Sequence, residues 1–303
     1  MIGARWTPGA SRRAETLERA ALRGRSLWDD ARRRLLRNRA AAAGLVVLGL
    51  LIVAAVVGPA LTPFRYDEIS KAEVWAAPLS GGHLLGTDAL GRDLLARILV
   101  GLRVSLAIGL VASVVSLAIG VTWGAVAGFA GGRIDEAMMR VVDVLYSLPF
   151  IFFVILLMVA FGSNIVLLFV AIGAVEWLTM SRIVRGQTLS LKHKEFVEAA
   201  QAAGLSAPAV VARHIVPNLL GPVAVYVTLT IPAVILAESF LSFLGLGVQP
   251  PMASLGALIA DGAQQMELAP WLLIFPSAVM IATLMSFNLI GDGLRDAIDP
   301  KDR

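Results

Sequence analysis

Six apolar runs dominate the chain, at residues 40–61, 104–130, 141–161, 165–183, 219–246 and 270–290. Shorter polar stretches separate them. Each run is long enough for a helix crossing a hydrocarbon core of about 30 Å, which takes about 20 residues. Inside a bilayer the backbone has no water to bond to, and a helix satisfies its N–H and C=O groups within one segment. The pattern predicts an all-α polytopic membrane protein with six transmembrane helices. Residues 162–164 are left as a short turn, and no internal repeat is evident.

Two of the polar stretches carry structure of their own. In 62–103, Gly86 and Gly91 allow tight turns, and Thr87, Asp88 or Asp93 can cap a following helix. Leu94, Leu95, Ile98 and Leu102 recur at helical spacing, with Arg97 off that face. The stretch predicts an amphipathic helix lying on, or entering, the membrane. Its aspartates lack the ligand spacing of a calcium loop.

The second stretch is 184–218, whose core reads EFVEAAQAAGLSAPAVVARHIVPN. Phe196, Ala199, Ala200 and Ala203 fall on one helical face. Gly204 is placed to end that helix, and Ser206 to cap a second one that tolerates Pro208 in its first turn. Pro217 then closes the segment. The face is made of small residues, which allow close approach by another backbone or a groove. Periodicity alone leaves two readings open: a helix docked into a soluble partner, or one packed against its own bundle.

Composition sharpens the class. The chain is 57% hydrophobic and 16% charged, with a mean hydropathy of +0.78. It has no cysteine, so disulfides and Cys-ligated metal sites are excluded. Eleven arginines lie in 1–40, just ahead of the first apolar run. That placement reads as a cytoplasmic orientation signal rather than a nucleic-acid patch, and no cleaved secretory leader is expected. With the N-terminus inside, the inner segments hold 21 Lys and Arg and the outer ones 5. Both termini are therefore expected in the cytoplasm. A basic tail 1–40 precedes a membrane domain 41–303, with outer loops 62–103 and 247–269.

Catalytic sets are missing. No phosphate-binding G-x-x-x-x-G-K-[ST], G-x-S-x-G or H-E-x-x-H occurs, and the three histidines all fall outside the apolar runs. A few polar groups lie within them, Glu238 and Glu176 among them. Glu238 could face a water-filled path or be a structural hydrogen-bond anchor, capped by Ser239 and a neighbouring helix. Glu176 lies nearer the inner end of its run and could pair with Arg182 or Arg185. Pro222 and Pro232 are expected to kink the fifth helix.

Glu198-Ala199-Ala200, three residues, Gly204, nine residues and then His214-Ile215-Val216-Pro217 resemble the EAA loop of ATP-binding-cassette importer permeases, whose pattern ends I-x-L-P. His214 and Val216 stand where that family usually has Ile and Leu. LGTDALGRD at 85–93, SFLGLGVQPP at 242–251 and GDGLRDAIDP at 291–300 resemble its peptide and nickel branch. RSLWDDARRRLLRNRAA at 25–41 and the stretch 169–196 are most similar to the C-subunit class of oligopeptide permeases. The likeness spans nearly the whole chain.

The resemblance implies the type I importer permease fold and a translocation subunit in a bacterial cytoplasmic (inner) membrane, surrounded by lipid. It implies a second permease subunit as heterodimer partner, two ATPase subunits that bind ATP and magnesium, an external peptide-binding protein, and oligopeptide cargo. This chain itself would hold no cofactor or metal, catalyse nothing and bind no nucleic acid. Glu198, Ala199, Ala200, Gly204 and Pro217 would couple it to the ATPases. Asp88, Arg92 and Asp93 would lie where the binding protein docks. Subunits for dipeptide, nickel or glutathione import differ only in cargo. A proton-coupled carrier would rest on Glu238 alone.

Overall fold

The structure, a computed structural model, describes residues 27–161 and 165–298. The expectations for residues 1–26, for the turn at 162–164 and for the end at 299–303 lie outside the described residues. The described residues form helices and turns, without a strand. In chain order the helices are α1 (Leu27–Arg37), α2 (Arg39–Leu61), α3 (Leu94–Ala130), α4 (Gly132–Ser147), α5 (Phe150–Phe161) and α6 (Ile165–Lys192). They continue with α7 (Glu195–Ala202), α8 (Ala207–Val210), α9 (Val216–Phe243), α10 (Leu255–Gln264) and α11 (Trp271–Ile298).

Among the described residues, four helical stretches are long and apolar enough to cross a membrane: Arg39–Leu61, Leu94–Ala130, Ala207–Phe243 and Trp271–Ile298. The expected third span, 141–161, is broken. Leu148 is extended, and Gly132–Ser147 meets Phe152–Phe161 at 84°. The residue before a proline is pushed out of the helical region, and Pro149 follows Leu148. Counted as one bent span, the pair makes a fifth. The fourth apolar run lies in α6, which continues to Lys192.

Two differences concern helix starts. Leu27–Arg37 is helical within the basic tail, and α1 packs on α11. Asn38 then caps α2, accepting bonds from the Ala40 and Ala41 amides at 3.0 and 3.2 Å. The amphipathic segment expected near residue 94 is not separate: α3 has 37 residues and runs unbroken from Leu94. At 1.5 Å per residue it is about 55 Å long. Arg97, expected off the packed face, is 3% exposed.

The central helix α3 packs by bringing backbones close. Gly120, Gly124 and Gly128 lie one turn apart and face α6; a Cβ on Gly124 would meet the Ser181 carbonyl and the Arg185 amide. Gly109 meets Ile231 of α9, and Gly101 meets the start of α10. Small residues at every fourth position let helices approach where lipid supplies no hydrophobic drive. The segment 247–269 contains α10, whose Leu255, Leu258 and Ala260 are buried against its neighbours. α9 passes through Pro222 and Pro232 as one continuous helix.

Residues 62–93 form a turn-rich cap. Gly86 and Gly91 have φ of +83° and +73°, as the turn reading requires. At Gly91 a side chain would run into the Ser70 backbone. His83, 2% exposed, bridges Asp93 at 2.8 Å and Glu73 at 3.2 Å and stacks on Phe64. Burial works against a charged His83, but its bonds to Asp93 and Glu73 outweigh it, and its pKa is raised. Glu73 is held below the usual carboxylate range by His83 and then by Ser70.

Linkage sets the sign of the pH effect. A histidine with raised folded pKa gives full stabilisation below about pH 6.5 and loses it as pH climbs through the raised value. Wild type is therefore expected to melt above a His83→Gln variant at pH 6, and the gap should shrink by pH 8.5. Melting curves of the purified protein test this. A gap that widens with pH would reverse the assignment.

Candidate functional site

The segment 195–218 folds as helix, sharp bend, helix. Lys194 caps α7 from an extended conformation, and the helix ends at Ala203. Gly204 follows at φ +83°, with its amide on the Gln201 carbonyl and the Leu205 amide on Ala200. These two bonds form the Schellman termination, which needs a left-handed residue where Gly204 stands. Ser206 occupies the N-cap of α8, but its hydroxyl accepts no capping bond.

The faces differ from the sequence reading by one position. Val197, Ala200 and Val210 are buried with Met180, Val184 and Leu219. Phe196, Ala199 and Ala203 are exposed, as are Glu198 and Gly204. Of the two readings that periodicity left open, the structure shows packing against the bundle, with a second face left exposed. One side anchors it to its own bundle, and the other side, made largely of small residues, is free. Open space surrounds Gly204.

Pro217 does not close the segment. It lies in the first turn of α9, just after a wide π-turn at Val211–Ile215. A proline ring clashes with the carbonyl four residues back, and the wider turn relieves that clash. The Val216 amide reaches back to Val211, and the Asn218 side chain donates to the His214 carbonyl at 2.7 Å. As a result Ala207–Phe243 is one continuous helical stretch. The bend at Gly204 is joined without a flexible tether to a membrane-crossing helix.

Glu238 and Glu176 are placed differently. Glu238 is fully buried and accepts bonds from Ser242 at 2.6 Å and Ser254 at 2.7 Å. Ser239, the expected cap, instead bonds the Ile235 carbonyl. Ser254 also caps α10, accepting from the Ala257 amide. Glu238 therefore ties α9 to the start of α10, which is the anchor reading. Sequence reasoning missed Ser254 because it lies 16 residues away, and only the fold closes that gap.

Ser254→Ala removes a cap worth about 1 kcal/mol. It also takes one of two donors from a buried carboxylate, worth about 1–3 kcal/mol. A clear drop in melting temperature is expected, whereas Ser239→Ala should stay near wild type. Equal melting of the two variants would contradict the anchor role.

Glu176 is not paired with Arg182 or Arg185. Arg182 bonds Asp143 at 2.8 Å, and Arg185 holds Asp135 through two bonds at 2.6 and 2.7 Å. Both aspartates lie on α4, so these bridges bind α4 to α6. A signal existed: Asp135 and Asp143 stand at the polar end of an apolar run, as acids facing two arginines would. Glu176 instead lines a cavity at the elbow of α4 and α5.

Asp88, Arg92 and Asp93 are committed to internal bonds. Asp93 caps α3 through the Ala96 amide at 2.7 Å and holds His83. Asp88 accepts from the Leu90 and Arg92 amides and from the Arg92 guanidinium at 2.7 Å. Asp88 and Asp93 are 8% and 4% exposed. Arg97 approaches Asp88 and Asp261 at 3.5 and 3.9 Å. Among the described residues no cluster of ligating side chains could hold a metal ion.

Known proteins resemble this chain in sequence. Residues 120–303 match the family model described as binding-protein-dependent transport system inner membrane component. Residues 26–78 match the N-terminal TM domain of oligopeptide transport permease C. The oligopeptide transport system permease protein OppC of Haemophilus influenzae is 55% identical over 96% of this chain and 94% of that protein. Its Escherichia coli K12 counterpart is 54% identical over 97% of this chain and 99% of that protein. The dipeptide transport system permease protein DppC of Bacillus subtilis is 45% identical over 97% and 91%. These matches bear out the resemblance read from the motifs: the chain belongs to the binding-protein-dependent transport system inner membrane components and is a multi-pass membrane protein.

Proposed function

We propose that this chain is the translocation subunit of an ATP-driven oligopeptide importer in a bacterial inner membrane. It forms half of a heterodimeric pore with a second permease chain, crosses the bilayer six times, and keeps both termini in the cytoplasm. Two partner ATPases bind ATP and magnesium, and this chain catalyses nothing. An external binding protein delivers the peptide to the 62–103 and 247–269 surfaces. Asp88, Arg92 and Asp93 act there by holding the shape of the cap.

One observation carries the reading. The α7–Gly204–α8 element is anchored on one face, free on the other, and continuous with α9. An ATPase groove gripping Glu198, Ala199 and Gly204 would move α9 as a lever, with Ala200 and the π-turn at Pro217 transmitting the push. Nucleotide biases the two transporter states only if it binds them with different affinity.

The oligopeptide cargo follows the names of the most similar relatives, and the 45% identity to a dipeptide permease keeps dipeptides as the second reading. The test is copurification from native membranes followed by vesicle uptake. ATP-dependent import of labelled oligopeptide, needing the partner subunits and binding protein, is expected. Uptake by this chain alone, driven by a proton gradient, would sink the proposal in favour of a carrier.

A further inference from the structure

The cavity beside Glu176 has a volume of about 430 Å³. That lies in the range of small-ligand sites, roughly 300–1,000 Å³. Leu145, Tyr146 and Phe153 wall it from the α4–α5 elbow, Thr179 from α6 and Ala237 from α9. Among the described residues, Glu176 is its one charged lining group. The arginine expected to pair with it is occupied. Arg182 lies over the Tyr146 ring at 4.4 Å and is bonded to Asp143. Among the described residues nothing neutralises Glu176.

A carboxylate in an apolar, aromatic cavity is expensive unless a cation meets it. The wall holds α6 and α9, the two helices that α7 and α8 connect. α7 and α8 thus lie in the chain between two of the helices that wall the cavity.

We propose that the cavity is a transit site for peptide, in which Glu176 binds the α-ammonium group while Tyr146 and Phe153 shelter an adjoining apolar side chain. This rests on the chain being a peptide-translocating subunit. A charge-assisted bond to the ammonium gives orientation. A single such bond also lets the peptide leave, as conduction requires.

The test uses the assembled complex with its second permease and ATPases but without binding protein. Binding of a fluorescent tripeptide with a free α-amine is compared with its N-acetyl form. Wild type is expected to prefer the free amine by about tenfold, equivalent to about 1.4 kcal/mol. Glu176→Gln should abolish the preference, and Glu176→Asp should keep most of it.

An undiminished preference in Glu176→Gln, or none in wild type, overturns the site. Loss of the second permease from the Glu176→Gln complex, with preference intact in what remains, would assign Glu176 to the subunit contact and also overturn it. Vesicle uptake with binding protein separates the two levels. If wild-type complex imports no peptide with ATP, the parent reading fails. If it imports peptide and Glu176→Gln keeps the free-amine preference, only this site fails.

Discussion

Gly124→Leu is expected to prevent the chain from accumulating in folded form. Gly124 is the middle of three glycines on α3 that face α6, and a Cβ there would already contact the Ser181 carbonyl and the Arg185 amide. Backbone cannot rotate away as a side chain can. A leucine must therefore separate the helices along much of the seam, losing the packing of Gly120 against Met180 and of Gly128 against Thr188 as well. Overpacking typically costs about 1–3 kcal/mol and occasionally more, and a clash with backbone belongs at the upper end. It would also strain the Arg185–Asp135 bridge, which ties α4 to the same face of α6.

Gly186 supplies the control. It lies on α6, and a methyl group added there would meet nothing within 4 Å. Gly186→Ala should be neutral or stabilising by about 0.5–1 kcal/mol, since alanine favours helix over glycine. Detergent-solubilised yield and melting temperature check both variants. A Gly124→Leu chain that melts like wild type would show that the seam is not tightly packed.

Gly204→Val is expected to insert and fold yet to lose most ATP-coupled uptake. The backbone there sits at φ +83°, where a side chain costs about 1–2 kcal/mol and a β-branched one suffers most. Space around it is open, so the damage comes from backbone geometry and from filling the room a docking groove would occupy. One to two kcal/mol against the docked bend corresponds to roughly 5–30-fold in population. Asparagine tolerates the left-handed region, so Gly204→Asn should retain more uptake than valine. The checks are chain abundance in membranes, basal ATPase activity and uptake in the same vesicles. Equal uptake by Val and wild type would remove Gly204 from the coupling path.

Much of this was legible in the chain itself. Apolar runs located the helices, because a bilayer demands length and continuity. Gly86, Gly91 and Gly204 were readable as turn residues, and all three have positive φ. The break at Leu148–Pro149 was also visible as a proline inside an apolar run, but hydrophobicity alone reads through it. The Gly120, Gly124 and Gly128 seam had a signal in its fourfold spacing, easily lost within an apolar stretch.

What the chain hid were pairings between distant segments. Arg182 and Arg185 lie near Glu176 in sequence, yet they turn to Asp143 and Asp135 some 39 and 50 residues back. Ser254 finds Glu238 for the same reason: helix rotation, set by close packing, decides which side chains meet. The buried face was shifted by one residue because Val197, rather than Phe196, faces the bundle.

The central claim is that the free face at 198–204 is where an ATPase docks, and cysteine cross-linking tests it most directly. The chain has no cysteine, so one introduced at Ala203 is unique within it. In the assembled complex, Ala203→Cys is expected to cross-link to an ATPase subunit, with a yield that changes when ATP is added. A cysteine at Leu84, on the cap formed by 62–93, should give no such product. Cross-linking to the ATPase from Leu84→Cys, with none from Ala203→Cys, would contradict the account.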